Sequence, residues 1–409
     1  VLNLLKFKKG STLTPKKIEN SQKALRSTEL FSQVNLDYHY LSKTDISIVV
    51  SLQERKTRSI RGGIGMNSER GITARSYVEF RHRNLLGLGR SLFVKTRGQT
   101  SFTNISPFLE YELSTRYKEI FIPGKNYEGN INFSTAKDIF NYSRKKINSI
   151  YKNQISFFIN KTVTDDLHLK WSLFNFEHRK EGCVHIQCSK NLQRIGSSSF
   201  TFKWDNRDNI FNPKKGYMIS LSGELASPYL GSSSDIQFWK FHFQKNTYYT
   251  FEGNYTLALA LKAGQIQASQ AIPISRAFLL GGQSSIRGYD GNIEGERIPS
   301  IESAPIETAN EYLKLRRNRL AERALTNSYG LTKLELRFPV SKSFKGLIFY
   351  DAGFIFMKGK RQDLTEYGQS IGMGFRYEIF VLPIGLDIGY KLPPKRGADY
   401  RFHFSIGLF

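Results

Sequence analysis

Residues 370–378 read SIGMGFRYE, and their alternation decides the fold. Ile371, Met373, Phe375 and Tyr377 fall on one side of an extended chain, while Gly372, Gly374, Arg376 and Glu378 fall on the other, because successive side chains of a strand point to opposite faces. The same period recurs on both sides of this stretch. In IGLDIGYK (384–391), Ile384, Leu386, Ile388 and Tyr390 oppose Gly385, Asp387, Gly389 and Lys391, and in RFHFSIGLF (401–409), Phe402, Phe404, Ile406 and Leu408 oppose Arg401, His403, Ser405 and Gly407. Upstream, Leu334, Leu336 and Phe338 oppose Lys333, Glu335 and Arg337, and Leu257, Leu259 and Leu261 oppose Ala258, Ala260 and Lys262. A soluble β-sandwich alternates too. A face built of glycine and charge, however, suits a hydrated lumen, and the opposite face is bulky in every one of these strands. The expected fold is therefore mostly β: a transmembrane antiparallel β-barrel with its apolar side in lipid.

Composition agrees with this expectation. The chain has 409 residues, 40% of them apolar, and a mean hydropathy of -0.39. No run of about 18 apolar residues exists, which excludes a transmembrane helix but not a barrel, whose strands are apolar only at alternate positions. Aromatics reach 13%, with 31 Phe and 21 Tyr, and barrels spend such residues in girdles at the two membrane interfaces. The net charge of +25 is spread along the whole length. Without a dominant basic block no nucleic acid is expected, and a basic barrel points instead to anionic outer-membrane lipid or lipopolysaccharide.

From residue 57 to 409 about sixteen candidate strands can be counted, at roughly 20–22 residues per strand and connection. They begin near 58, 72, 90, 103, 127, 151, 165, 195 and 215, then near 234, 252, 327, 345, 368, 383 and 400. An even number closes an antiparallel barrel with both ends on one side. The longest connection runs from 265 to 326 and holds FLLGGQSSIRGY (278–289), followed by a basic stretch, 306–325, in which Leu313 and Leu320 are seven apart and a helix is expected. Connections this long are usually functional.

Residues 1–55 have a different texture. Thr14 before Pro15 is an N-cap with proline at the first helical position. Ile18 and Leu25 share a helical face, and Ile46, Ile48 and Val50 alternate along a later strand. The expected order is β-α-α-β-β in one small α+β module. The chain starts at Val1 with no leader, so it is expected to be part of a longer exported precursor.

With these residues in view, the chain resembles the C-terminal part of the BamA/TamA-type outer-membrane assembly proteins over nearly its whole length. SQKALRSTELFSQVNLDYHY (21–40) is similar to the helix-to-strand passage of a POTRA domain. FKWDNRDNIFNPKKGYMISLSGEL (202–225), with Asn212, Pro213 and Gly216 at its turn, resembles a mid-barrel strand pair of the family. FLLGGQSSIRGY resembles its loop motif, through Gly281, Gly282, Ser285, Arg287, Gly288 and Tyr289, and FYDAGFIF (349–356) and FHFSIGLF (402–409) its late strands. The resemblance implies a POTRA-like periplasmic domain at 1–55 and a barrel at 57–409 whose loop 265–326 folds inward. It also implies that Arg287 reaches Glu335 and Asp351 and pins that loop. Gly288 would then adopt a backbone geometry that a Cβ forbids. A guanidinium suits such a task because it is always charged and carries five donors in a fixed fork.

The resemblance further implies an outer-membrane assembly factor in a Gram-negative bacterium, an organellar relative being the lesser reading. It would insert β-barrel or autotransporter proteins through an openable seam between first and last strands. That seam would comprise Gly62, Gly63, Gly65, Phe402, Phe404, Gly407 and the terminal aromatic Phe409. Its partners would be unfolded outer-membrane proteins and a periplasmic or inner-membrane protein docked on the POTRA region. The alternative is a polypeptide secretion channel of the two-partner type, which shares the barrel and the loop motif. A passive porin fits less well with the long loop and the module before the barrel.

Cys183 and Cys188 lie in a connection expected to be external, where an oxidising compartment favours a small disulfide. Catalysis finds no foothold. The seven histidines are scattered, no P-loop or GxSxG elbow occurs, and the expectation is a protein that is not an enzyme and holds no metal or cofactor.

Overall fold

A computed structural model describes every residue except 69–71, 102–108, 120–126, 144–145, 184–192, 211, 271, 274–275, 290–323, 342, 360–362, 380–381, 394–399 and 407–409. The chain opens with a small unit. One helix, α1 (Pro15–Ser27), lies on a two-stranded antiparallel sheet of β1 (Phe31–Tyr40) and β2 (Ile46–Glu54). The Thr14 hydroxyl accepts from the Lys17 N–H at 3.3 Å, which caps the helix as its sequence predicts. Leu25, Phe31, Val34 and Leu36 form the core, with Ile18, Ile48, Val50 and Leu52 packed against it.

The order β-α-α-β-β does not form among the described residues. Leu2–Leu4 is a single 3-10 turn, and only one helix follows. The cause is local. Gly10 takes a left-handed φ of 80°, and the Ser11 N–H returns to the Lys8 carbonyl at 3.1 Å. The chain therefore turns between residues 8 and 11, ahead of α1.

Sixteen strands follow: β3 (Arg58–Asn67), β4 (Thr73–Leu85), β5 (Arg90–Ser101), β6 (Leu109–Glu119), β7 (Glu128–Ser143), β8 (Lys146–Thr162), β9 (Leu167–Cys183), β10 (Gln193–Asp205), β11 (Gly216–Ala226), β12 (Phe238–Phe251), β13 (Tyr255–Ala268), β14 (Ala324–Pro339), β15 (Phe344–Gly359), β16 (Asp363–Ile379), β17 (Leu382–Lys391) and β18 (Tyr400–Ile406). Each pairs antiparallel with its sequence neighbours, and β18 returns to β3 to close the barrel. The strand starts lie close to those read from the sequence. β13 and β14 stay paired out to Gln267 and Thr326, inside the bounds 265–326 expected for the connection, and residues 290–323, with most of the helix expected at 306–325, lie outside the described residues.

The barrel's ends differ. The β4–β5, β8–β9 and β10–β11 turns lie at the end that meets the small unit, where Glu29 pairs with Arg81 at 2.7 Å and Lys23 with Asp165 at 3.2 Å. Both are surface pairs of small energetic weight. The β10–β11 turn is built by Asp208, whose carboxylate accepts the Lys214 and Lys215 N–H groups at 2.9 and 3.1 Å. These two backbone donors hold its pKa below the usual carboxylate value. The long connection leaves from the opposite, distal end.

Outward positions carry the apolar belt. Ile60, Ile64, Val78, Phe133, Ile155, Phe200, Ile348, Ile371, Met373 and Phe402 are all exposed. A soluble protein rarely exposes so continuous an apolar surface, whereas lipid would cover it. The inward face is polar toward the module end. Toward the distal end it turns apolar, contrary to the uniform polar lining expected from the sequence. Ile195, Ile236, Phe238 and Ile266 form one buried cluster, and Tyr329, Leu331, Ile355 and Met357 belong to a second. The reason is the loop: chain folded into a lumen needs apolar seats as well as charges.

All three tryptophans, Trp171, Trp204 and Trp239, point outward with 53%, 41% and 41% exposure. Reconstituted in bilayers whose acyl chains carry bromine, the protein should lose most of its tryptophan fluorescence. Emission that brominated lipid leaves unchanged would contradict the assigned register, since a shift of one residue sends every side chain to the other face.

Candidate functional site

The site begins with the descent of residues 276–289 into the barrel. Gly281 and Gly282 adopt φ of 125° and 83°, a region where a side chain is strained. They start a compact hairpin, in which the Gly282 N–H donates to the Tyr289 carbonyl at 2.9 Å and the Ser285 N–H to the Gly282 carbonyl at 3.1 Å. Leu280 and Ile286 are buried against Tyr329, Leu331 and Ile355. Phe278 packs on Tyr329 with ring centroids 4.5 Å apart, and its N–H donates to Asn327 at 2.6 Å.

Arg287 stands at the tip of this hairpin with 2% of its surface exposed. Its Nε and Nη2 donate to the two carboxylate oxygens of Asp351, each at 2.7 Å, and its backbone N–H reaches the same carboxylate at 3.1 Å. Nη1 donates to Glu335 at 2.8 Å and lies 3.9 Å from Asp387. The guanidinium carbon sits 3.5 Å from the centroid of the Phe349 ring, a cation–π contact made in a dry setting where such contacts weigh most. Asp351 is fully buried. A bidentate, charge-assisted pair of this kind fixes both position and orientation.

The carboxylates are held in turn. Arg337 grips the other oxygen of Glu335 through two donors at 2.8 and 2.9 Å, and Arg376 grips Asp387 through two at 2.7 and 2.8 Å. Lys333 donates to the Gln283 carbonyl at 3.1 Å. The carbonyl of Arg287 is hydrogen-bonded to His403 Nε2 at 2.8 Å. The loop tip therefore touches β14, β15 and β17, and through His403 the seam strand β18. Gly288 lies against β16 and β17, and a Cβ there would come within 2.6 Å of Ser370 Cβ and 3.3 Å of the Lys391 backbone. Tyr289 stacks beneath the Lys391 ammonium, 4.8 Å from its ring centroid.

Arg287, Glu335 and Asp351 thus meet in one cluster, together with Gly288 and Tyr289. Sequence reasoning did not single out Asp387, His403, Lys333 or Phe349. The first three fall on polar positions of alternating strands, and that inward placement was the available signal. Phe349 breaks the alternation and gave none.

The seam residues are arranged otherwise than as one unit. Gly63 and Gly65 face the lumen, and Gly62 faces outward with Ile60 and Ile64. The Tyr77 ring covers Gly63 and fills the space a Cβ would take. Phe402 is outward and exposed. Gly407 and Phe409 lie outside the described residues, as do Cys188 and the side chain of Cys183. Among the described residues β18 and β3 share two positions in register, Ser405 with Asn67 and Ile406 with Met66, whereas β3 and β4 share ten. The Ser68 N–H adds a bond to the Phe404 carbonyl at 3.2 Å.

Comparison with known proteins matches residues 84–409 to the Omp85 superfamily domain. Among curated proteins the chain is similar to an outer membrane protein assembly factor BamA from Nitratidesulfovibrio vulgaris, at 23% identity over all of this chain and 49% of that protein. The chain thus spans about half the length of that relative. Among solved structures it is similar in fold to BamA from Haemophilus ducreyi lacking POTRA domains 1–3, with a TM-score of 0.71 at 17% identity over 99% of this chain and 80% of that one. It is also similar to CdiB from Acinetobacter baumannii, with a TM-score of 0.62 at 13% identity over 99% of this chain and 70% of that one.

Removing one member of a buried pair strands the other's charge, at a cost of about 3–5 kcal/mol. Arg287→Ala should therefore lower the temperature at which the detergent-solubilised barrel unfolds on a heat-modifiability gel. Arg287→Lys should recover only part of the loss, because an ammonium cannot reproduce the two-pronged contact with Asp351. Equal unfolding temperatures for wild type and both variants would show that the cluster carries no such weight.

Proposed function

We propose a function from one established fact, that the chain belongs to the Omp85 superfamily: it is an outer-membrane assembly factor that inserts and folds barrel proteins at the bacterial outer membrane. The observation that carries this reading is a pinned loop bonded to the strand that closes the barrel. Arg287 is fixed to three strands of the late barrel, and its carbonyl is bonded to His403 on β18. One strand away, the described part of the β18–β3 junction holds two positions in register.

In this reading the latch keeps the late strands in one arrangement while the seam parts. A parted seam exposes unpaired N–H and C=O groups, which template an incoming strand. Gly63 and Gly65 weaken β3 from within, since glycine adds no packing to a strand. Clients are unfolded outer-membrane proteins. The unit at 1–55 serves as a POTRA-like dock for a periplasmic or inner-membrane partner, and lipid meets the apolar belt. The chemistry is strand exchange, with no covalent step and no cofactor.

A polypeptide secretion channel of the two-partner type is the second reading, favoured by the fold likeness to CdiB. The two differ in route. An assembly factor passes its client sideways through the seam, and a channel passes it along the lumen.

The test is a reversible lock. Asn67 and Ser405 face each other across the seam, so Asn67→Cys/Ser405→Cys should form a disulfide under oxidation. In liposomes, the locked protein should fail to insert a client barrel, and reductant should restore insertion. Full insertion by the locked protein would rule out the sideways route, and secretion of a soluble client by the locked protein would favour the channel.

A further inference from the structure

The inward loop carries a second arginine, eleven positions before the first, on a different wall. Arg276 Nη2 donates to Glu177 on β9 at 3.0 Å, and its Nε lies 3.4 Å from Glu224 on β11 as an ion pair. Glu177 is buried, and the Arg276 side chain is only 17% exposed. The backbone is held at the same point, because Lys240 on β12 donates to the Arg276 carbonyl at 2.8 Å. Glu224 is braced by the Ser197 hydroxyl at 2.9 Å. Ala277 and Phe278, next along the chain, pack against the apolar cluster of Ile195, Ile236, Phe238 and Ile266.

We propose that Arg276 is a second, independent anchor, and that residues 276–287 form a strut along the lumen wall between two charge-paired ends. In the ring of sixteen strands the contacts of Arg276 lie on β9, β11 and β12, and those of Arg287 on β14, β15 and β17. Glu177 stands on β9, while Asp351 and Asp387 stand on β15 and β17. The strut therefore ties the β9–β12 wall to the β14–β17 wall. Each end has its own carboxylates and its own backbone clasp, Phe278 packs against the apolar clusters of both, and no described residue is shared between the two clusters of charges.

The interior geometry explains why two ends are needed. On the module side of Arg276 opens a polar recess of about 350 Å³, lined by Gln154, Lys170, Ser199 and Lys240 among others. That recess leaves the loop no packing on its module side, so a loop held only at Arg287 would be free to lift from the β9–β12 wall. Paired there, it keeps Phe278 under Tyr329 and holds the segment leading to the latch. The proposal deepens the reading of the loop as part of an assembly barrel. Its test reads the loop itself, so it can fail or succeed whatever the client route proves to be.

The experiment is hydrogen exchange on the full chain in lipid bilayers, followed by mass spectrometry on peptides covering 276–280 and 285–289. In Arg276→Gln, exchange over 276–280 should rise by about tenfold or more, the scale expected when a charged hydrogen bond is lost, while 285–289 stays protected. In Arg287→Gln the pattern should reverse. The variant Glu177→Gln/Glu224→Gln leaves the arginine in place and should reproduce the Arg276→Gln pattern, which guards against misfolding of any single variant. Unchanged exchange over 276–280 in both Arg276→Gln and Glu177→Gln/Glu224→Gln would overturn the anchor. An equal rise over both peptides from either arginine substitution would overturn the independence of the two ends.

Discussion

A guanidinium cannot be left unpaired in the interior of a barrel, and this constraint organises the distal half of the molecule. Arg287 is 2% exposed, and desolvating a full charge costs several kcal/mol unless partners replace the lost water. Asp351 and Glu335 supply that replacement, and Arg337 and Arg376 hold the surrounding carboxylates in line. The pairing is strong because it is forked and dry, and it is selective because the loop conformation brings three guanidinium donors and the backbone N–H to those oxygens.

From that pairing follow the departures from simple alternation. A wall that only enclosed water would be polar along its full height. Here Ile355 and Met357 turn inward on β15 and Ile266 on β13, because Leu280, Ile286 and Phe278 must be seated there. Gly288 and Gly389 are small for the same reason: a Cβ on either would drive into the backbone or side chains of the facing segment. Glycine in β17 thus serves the approach of the loop to the wall as much as it serves the strand.

The strands were legible because their period of two survives any change of partner, and most starts lie within a few residues of those expected. The N-terminal unit was less legible, since Gly10 and the Lys8–Ser11 turn decide its path and neither contributes to periodicity. For the site, alternation in LELRF places Glu335 inward, the resemblance of FYDAG to a late strand of the family implies an inward Asp351, and the structure has both against Arg287. Asp387 and His403 were also on inward positions, but alternation alone does not say which inward residues a loop will reach. Arg276 was invisible for the same reason. Its partners Glu177 and Glu224 lie in strands 99 and 52 residues distant in sequence, from 276 − 177 and 276 − 224, and only closure of the ring brings them together.

Solid-state NMR on the protein in bilayers, with nitrogen-15 in arginine and carbon-13 in aspartate, reads the organising contact most directly. A rigid cross-peak between the Arg287 guanidinium and the Asp351 carboxyl carbon is expected, consistent with the N–O separations of 2.7 Å. An Arg287 guanidinium averaged by fast motion, with no transfer to Asp351, would contradict the latch and the arrangement built on it.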